Sequence, residues 1–452
     1  MHIHILGVCG TFMGGLAQIA RALGHEVTGS DQNVYPPMSD ELVKLNIDVM
    51  NGYESEHLNP RPDLVLVGNT LSRGNPAIEY MLNRRLSFMS GPEWLFHEVL
   101  HKRHVLAVSG THGKTTTTTI LSWILEFAGL NPSFLIGGVA ENFGKSASYT
   151  DSEYFVIEAD EYDTAFFDKR SKFVHYRPKT LVINNIEHDH ADIFHDIAAI
   201  RREFHNLVRI LPETAKIIYP AGDEEVERVL NMGCWTASET FMGFDAEWSI
   251  IDASCDYQDF SITHKEKTVG KVSWSTIGEH NACNALAAII AAKNVGVTVE
   301  KACQALSEFK SVKRRLECIF DSKNIRVYDD FAHHPTAIRK SIQAIKSHST
   351  NGRIIAIMEP RSNTMRMGIH AETLSASFEE ADYIFLYQAK DLKWNIADYM
   401  HDLGDRCLVL EDVDKIVELV SKRAQPHDHI VIMSNGAFDG IYQKLIERLK
   451  RI

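Results

Sequence analysis

Residues 105–119 read VLAVSGTHGKTTTTT, and this stretch decides the fold. Val105, Leu106, Ala107 and Val108 predict a short buried strand. GTHGKT follows at 110–115, and Ile120, Leu121, Ile124 and Leu125 then recur at helical spacing. Strand, glycine-rich turn and helix form the setting of a phosphate-binding loop. Glycines let backbone N–H groups close on phosphate oxygens, and the helix N-terminus adds partial positive charge. Lys114 is expected to reach the terminal phosphates, and the Thr115 hydroxyl to sit on a magnesium ion. The general pattern G-x-x-x-x-G-K-[ST] asks for glycine where Val108 stands, so the loop is the shorter G-T-x-G-K-T form.

Upstream, residues 2–6 predict an apolar strand, GVCGTFMGG at 7–15 a glycine-rich turn into a helix, and 26–29 a second strand ending in Ser30 and Asp31. This is the opening β-α-β of a nucleotide-binding fold. The glycines do not spell G-x-G-x-x-G, so the helix start suits the pyrophosphate of another nucleotide, and Asp31 a ribose or base. A further strand, 63–67, leads to Gly68, Asn69 and Thr70. Basic residues at 101–104 suit an exposed linker.

Downstream, a strand at 154–157 carries EADE at 158–161, and one at 180–183 precedes NIEHDH at 185–190. Each acidic cluster alone also suits a solvated loop. Two of them after a phosphate loop point to magnesium, because bound triphosphate needs its charge neutralised. His190 is an unusual magnesium ligand on chemistry alone. Residues 217–272 read as β-rich material without evident chemistry. HNACN at 280–284 opens an alanine-rich helix, either as an ordinary cap or along a nucleotide, and Lys310, Lys313, Arg314 and Arg315 follow. From about residue 324, strands and helices alternate to the C-terminus as a doubly wound unit. Its strand-end loops hold Arg361, Asn363, Thr364 and Arg366, then Ser434 and Asn435; the arginines suit either a carboxylate-bearing ligand or solvent.

A chain of 452 residues implies two to four domains, here an α/β protein divided at 1–103, 104–312 and 313–452. The net charge of −13 argues against non-specific nucleic-acid binding. Seven cysteines without a C-x-x-C pair indicate neither a disulfide framework nor a zinc site of that kind. MHIHILG is not a signal peptide, and no apolar run spans a membrane, so a cytoplasmic protein is expected. The residues alone leave room for a nicotinamide-dependent dehydrogenase or an ATP-driven regulatory switch.

GTHGKT (110–115), EADE (158–161), NIEHDH (185–190), HNACN (280–284), KRRLE (313–317) and DDFAHHPT (329–336) together resemble the Mur ligase family in order and spacing. That family makes amide bonds of peptidoglycan at the expense of ATP. The resemblance spans the chain and implies a Rossmann-like UDP-sugar domain, a central P-loop ATPase domain and a Rossmann-like domain for the incoming amine. It implies ATP contacts from Gly110, Thr111, His112, Gly113, Lys114, Thr115, Thr116, Asn281, Asn284, Arg315 and Asp330. Magnesium would be served by Thr115, Glu158 and His190, with Lys114, Glu158, His190 and Arg315 catalytic. The UDP-sugar would meet Gly10, Thr11, Phe12, Met13, Ser30, Asp31, Asn69 and Thr70, and a peptide would meet the 361–366 and 434–435 loops. Several members carry a carbamylated lysine after the NIE motif; here 200–205 reads IRREFH, so no carbamate is expected.

Two branches of the family lie close. One adds L-alanine to UDP-N-acetylmuramate; the other attaches the recycled tripeptide L-Ala-γ-D-Glu-meso-diaminopimelate to the same nucleotide sugar. GVCGTFMGG (7–15), the longer run YDTAFFDKRSKFVHYRP (162–178), EPRSNTMRMG (359–368) and SNGAFDGI (434–441) resemble the second branch more. The amine's base stays open, with His190 and His334 as candidates.

Overall fold

The computed structural model describes residues 1–34, 38–349 and 352–451. The strand His104–Ser109 is its centre. Parallel strands pair with both its edges, Tyr154–Glu158 on one and Thr180–Ile183 on the other, and it is buried almost throughout because Val105 and Ala107 pack into one core and Leu106 and Val108 into another. A strand covered on both faces reads as a continuous apolar run, which is why 105–108 carries no alternation.

Around it lies a ten-stranded mixed sheet. Its inner strands are parallel; antiparallel strands at Lys145–Ser148, Asp259–His264 and Lys267–Ser273 finish its two ends. The helices Lys114–Phe127 and Glu279–Lys293 pack on one face, their alanines, threonines and isoleucines fully buried. Small side chains there let the two helices lie close to the sheet and to each other.

The N-terminal sheet has five parallel strands, with His2–Leu6 between Glu26–Asp31 and Leu64–Val67. Connections leave this strand toward both edges, so a crevice opens at its C-terminal end. The helix Thr11–Ala22 starts there and also joins the two sheets: a Cβ on Gly15 would lie 2.2 Å from Leu135 Cδ1. The C-terminal sheet has six strands, five parallel and one antiparallel edge strand, Glu317–Ser322, absent from the sequence reading. Among the described residues the mixed α/β architecture thus has three large sheets, with strands between residues 2 and 90, 104 and 273, and 317 and 433, and a two-stranded hairpin, Asp163–Ala165 with Asp168–Ser171.

Two expectations are corrected. The 101–104 segment is exposed only at His101 and Lys102: Arg103 donates to Ser133 Oγ, Ser152 O and Thr150 O at 2.7–2.8 Å, and His104 begins the central strand. The 217–272 segment extends the central sheet, and its turns around Phe241–Gly243 and Cys255–Tyr257 border the main cavity. Loop positions there are set by strand pairing across the sheet, which local composition does not encode.

Candidate active site

Strand ends from all three sheets converge on one cavity of about 1960 Å³. A single-ligand site measures about 300–1,000 Å³, so this space suits more than one reactant. The loop after His104–Ser109 forms its floor. Gly113 adopts φ 79° at the start of the helix Lys114–Phe127, and a Cβ there would lie 2.4 Å from Asn284 Oδ1. Only glycine fits this turn. The Gly113 side of the loop leaves the first helical N–H groups facing the cavity, as an anion site requires.

Lys114 Nζ donates to Glu161 Oε2 at 2.7 Å, with Asp160 Oδ1 3.7 Å away. Burial alone would lower its pKa; Glu161 and Asp160 outweigh that and raise it, so the ammonium stays charged. Thr115 Oγ1 donates to Glu158 Oε1 at 3.1 Å and faces Arg315 Nη2 at the same distance. Glu158 Oε2 accepts the Gly137 N–H at 2.7 Å. Burial raises the Glu158 pKa, with Lys114 and Gly137 pulling the other way. A buried carboxylate in that position gains from a cation.

His190 is placed differently from its expected role. Its Nε2 lies 3.1 Å from Glu161 Oε1. Burial opposes its charge, but the hydrogen bond and charge of Glu161 prevail and raise its pKa. In this arrangement it is a donor to Glu161 rather than a lone pair for a metal. Glu161, quoted within EADE but given no role in the sequence, is therefore the group that ties Lys114 to His190. The signal was its place after the strand; its direction was not legible.

The remaining predicted residues separate into those that face the cavity and those consumed by structure. Gly10, Thr11, Phe12, Met13, Asn69 and Thr70 line the N-terminal end, and Thr111, His112, Thr116, Asn281, Asn284 and Asn435 line other walls. Asp31 also borders it, but its carboxylate accepts the Cys9 and Asn33 N–H groups. Ser30 is fully buried, its hydroxyl shared by His4 and His57, and does not reach the cavity. Gly110 lies behind the loop, packed on Asn184 and Asn185. Asp330 accepts from Leu316 N, Ala332 N and Ser341 Oγ, so its carboxylate anchors the Arg315 loop.

At the C-terminal wall, Arg366 pairs with Asp391, leaving Arg361 half exposed with Glu359 Oε1 4.0 Å away. Thr364 donates to Asp189 Oδ1 at 2.8 Å and Asn363 to Asp192 Oδ2 at 2.8 Å. Ser434 is buried and donates to Glu359 Oε2 at 2.6 Å. Of these six, Arg361 and Asn435 line the cavity without a side-chain hydrogen bond to a neighbour. Sequence reading also missed Lys172. It is buried on the hairpin Asp163–Ser171's far side, 5.4 Å from the Phe12 ring, and lines the space between the N-terminal and central sheets. Nothing local in the sequence marks it.

Comparison with known proteins follows the same division. The Mur ligase family catalytic domain matches residues 2–103, the Mur ligase middle domain 108–292, and the Mur ligase glutamate ligase domain 314–436. The chain is 50% identical over 450 residues to the UDP-N-acetylmuramate–L-alanyl-γ-D-glutamyl-meso-2,6-diaminoheptandioate ligase of Haemophilus influenzae, covering 99% of each chain. A UDP-N-acetylmuramate–L-alanine ligase of Acetivibrio thermocellus is 30% identical, covering 96% of this chain and 93% of that one. The crystal structure of a murein peptide ligase from Psychrobacter arcticus superposes with a TM-score of 0.76 at 47% identity, covering 100% and 99%. With all three of its sheets matched and half of its residues identical to one relative, the chain belongs to the Mur ligase family.

Proposed function

We propose that this chain is an ATP-dependent ligase that joins the tripeptide L-Ala-γ-D-Glu-meso-diaminopimelate to UDP-N-acetylmuramate in peptidoglycan recycling. One observation carries the choice of substrate: identity is 50% to the tripeptide-adding relative and 30% to the alanine-adding one, each over nearly the whole chain. ATP and a nucleotide sugar as co-substrates put the reaction in the cytoplasm.

The N-terminal loop 10–13, with its open helix start, binds the sugar diphosphate, and Lys172 adds a cation beside it. The phosphate loop, Lys114 and Arg315 hold ATP. The hydroxyl of Thr115 and the carboxylate of Glu158 are oxygen donors 3.1 Å apart, the ligand type Mg2+ takes, and they would hold it, with His190 beside them only if freed from Glu161. Bound there, Mg2+ offsets the triphosphate charge.

The lactyl carboxylate of the sugar attacks the γ-phosphorus, giving an acyl phosphate and ADP. Lys114 and the helix start reduce the repulsion between the two anions. The neutral amine of the tripeptide's alanine then attacks the acyl carbon, and phosphate leaves. Arg361 is the cation that meets the peptide's carboxylates. Docking of the C-terminal sheet keeps water from the acyl phosphate.

The test is phosphate release with ATP, Mg2+ and UDP-N-acetylmuramate, supplied with the tripeptide or with L-alanine. Strong release with the tripeptide and little with L-alanine is expected. The reverse preference would make the chain an alanine-adding enzyme, and release that needs neither acceptor would make it an ATPase.

A further inference from the structure

One cluster of side chains able to ligate a metal has no metal role in the chemistry above. His112 lies in the phosphate loop, Glu187 in the loop after Thr180–Ile183, and His334 caps the helix Pro335–His348. One ligand atom from each lies within 4.8 Å of the others. Glu187 Oε2 is 3.5 Å from His112 Nε2 and 3.6 Å from His334 Nδ1. These separations are long for hydrogen bonds. They are close to the edges, about 3.3–3.4 Å, of a tetrahedron built on zinc–ligand bonds of about 2.0–2.1 Å.

The cluster is also short of partners. Nε2 of His112 and Nε2 of His334 are buried without a hydrogen bond, and so is Nε2 of His370, whose ring centroid is 4.4 Å from that of His334. Three orphaned imidazole nitrogens side by side are costly. A cation beside Glu187 Oε2 would give His112 Nε2 a partner. Two imidazoles and a carboxylate suit zinc and its neighbours, whereas magnesium prefers oxygen. His334 Nδ1 accepts the Thr336 N–H at 3.2 Å as the helix cap, and an ion bound there would take that lone pair from the cap. Thr336 Oγ1 donates to Glu187 Oε2 at 2.6 Å and fixes the carboxylate, as outer partners of metal ligands do.

We propose that His112, Glu187 and His334 form a zinc-class transition-metal site, separate from the Thr115 and Glu158 pair. Two ligands come from the central unit and one from the C-terminal unit. An ion there clamps the phosphate loop to the C-terminal sheet and holds the cavity closed. That clamp inhibits turnover if the ligase reading above is correct; binding itself does not depend on it.

The full chain without nucleotide is titrated with Zn2+ and with Co2+ in excess Mg2+. One equivalent held against that excess is expected, with the intense visible absorption of four-coordinate Co2+. His112→Ala and His334→Asn should weaken binding roughly 10- to 100-fold or more. Asparagine keeps a side-chain cap for the helix, so loss of metal there is not loss of fold; melting curves without metal check this. His190→Ala should retain the ion. Retention in His334→Asn with loss in His190→Ala would place zinc in the magnesium site and overturn the proposal, as would no ion held against Mg2+. In the phosphate assay, zinc should slow turnover and a chelator restore it. A chain that binds zinc but ligates no tripeptide would overturn the ligase reading and leave the metal site standing.

Discussion

Lys114 shows how one side chain is poised. Glu161 and Asp160 hold it charged and buried, and in the proposed reaction phosphates take their place. Replacing it by alanine removes the cation aimed at the developing charge and is expected to lower kcat by about 10²–10³. Near-normal phosphate release by Lys114→Ala would sink the phosphate-loop assignment. A second residue governs acid stability. His4 is fully buried between Thr28 and Ser30 hydroxyls. Burial, reinforced by His2 and His57, lowers its pKa to about 3. Above about pH 6.5 it is neutral folded or unfolded and contributes no pH dependence. Between about 6.5 and 3 the unfolded chain takes a proton that the folded one refuses, so stability falls as pH falls. By pH 5 the loss is about 2 kcal/mol from this group alone. His4→Asn is therefore expected to lose less melting temperature between pH 7 and pH 5 than the unaltered chain.

At the scale of elements, the strand–loop–helix unit depends on a glycine whose φ of 79° and close neighbours exclude a side chain. Gly113→Ala adds about 1–2 kcal/mol of backbone strain and pushes Asn284 and Asn184 away. A raised KM for ATP, with the sugar's KM little changed, is the expected kinetic result. In the proposed reaction the hairpin of Asp163–Ala165 and Asp168–Ser171 bears on the other substrate. Phe167, at its tip, meets Phe88 of the N-terminal sheet edge-to-face at 5.0 Å, and Lys172 leaves it beside Phe12. Phe167→Ala removes about 0.5–1.5 kcal/mol of aromatic contact. Its expected effect is a raised KM for UDP-N-acetylmuramate at unchanged KM for ATP, read from initial rates.

Across the molecule, three sheets make one cavity only while the C-terminal unit stays docked. Thr364 is central to that docking: it donates to Asp189 Oδ1 and accepts the Ala191 N–H at 3.2 Å. Thr364→Val leaves the Ala191 N–H without a partner and Asp189 Oδ1 with the His190 N–H alone, and favours the open arrangement. Water then competes for the acyl phosphate, so more than one phosphate should be released per ligated peptide. The ratio of phosphate to product, by malachite green and chromatography, measures this. Ion pairs elsewhere, such as Arg73 with Glu79 on the surface, contribute little to the assembly.

The sequence determined the fold and the floor of the site, because both follow from local rules. An apolar run, a glycine turn and helical spacing set the central strand, loop and helix, and alternation of strands and helices set the C-terminal unit. Acidic clusters after strand ends were legible for the same reason: chain order fixes which end of a parallel strand they occupy. The tertiary structure alone decided where each carboxylate and imidazole points. Asp330 turned to its own loop, Ser30 to the N-terminal core, Arg366 to Asp391 and His190 to Glu161. Lys172 and the meeting of His112, Glu187 and His334 depend on sheets that are distant in sequence. Local propensity reaches a few residues along the chain, whereas side-chain partners across a domain boundary are chosen by packing.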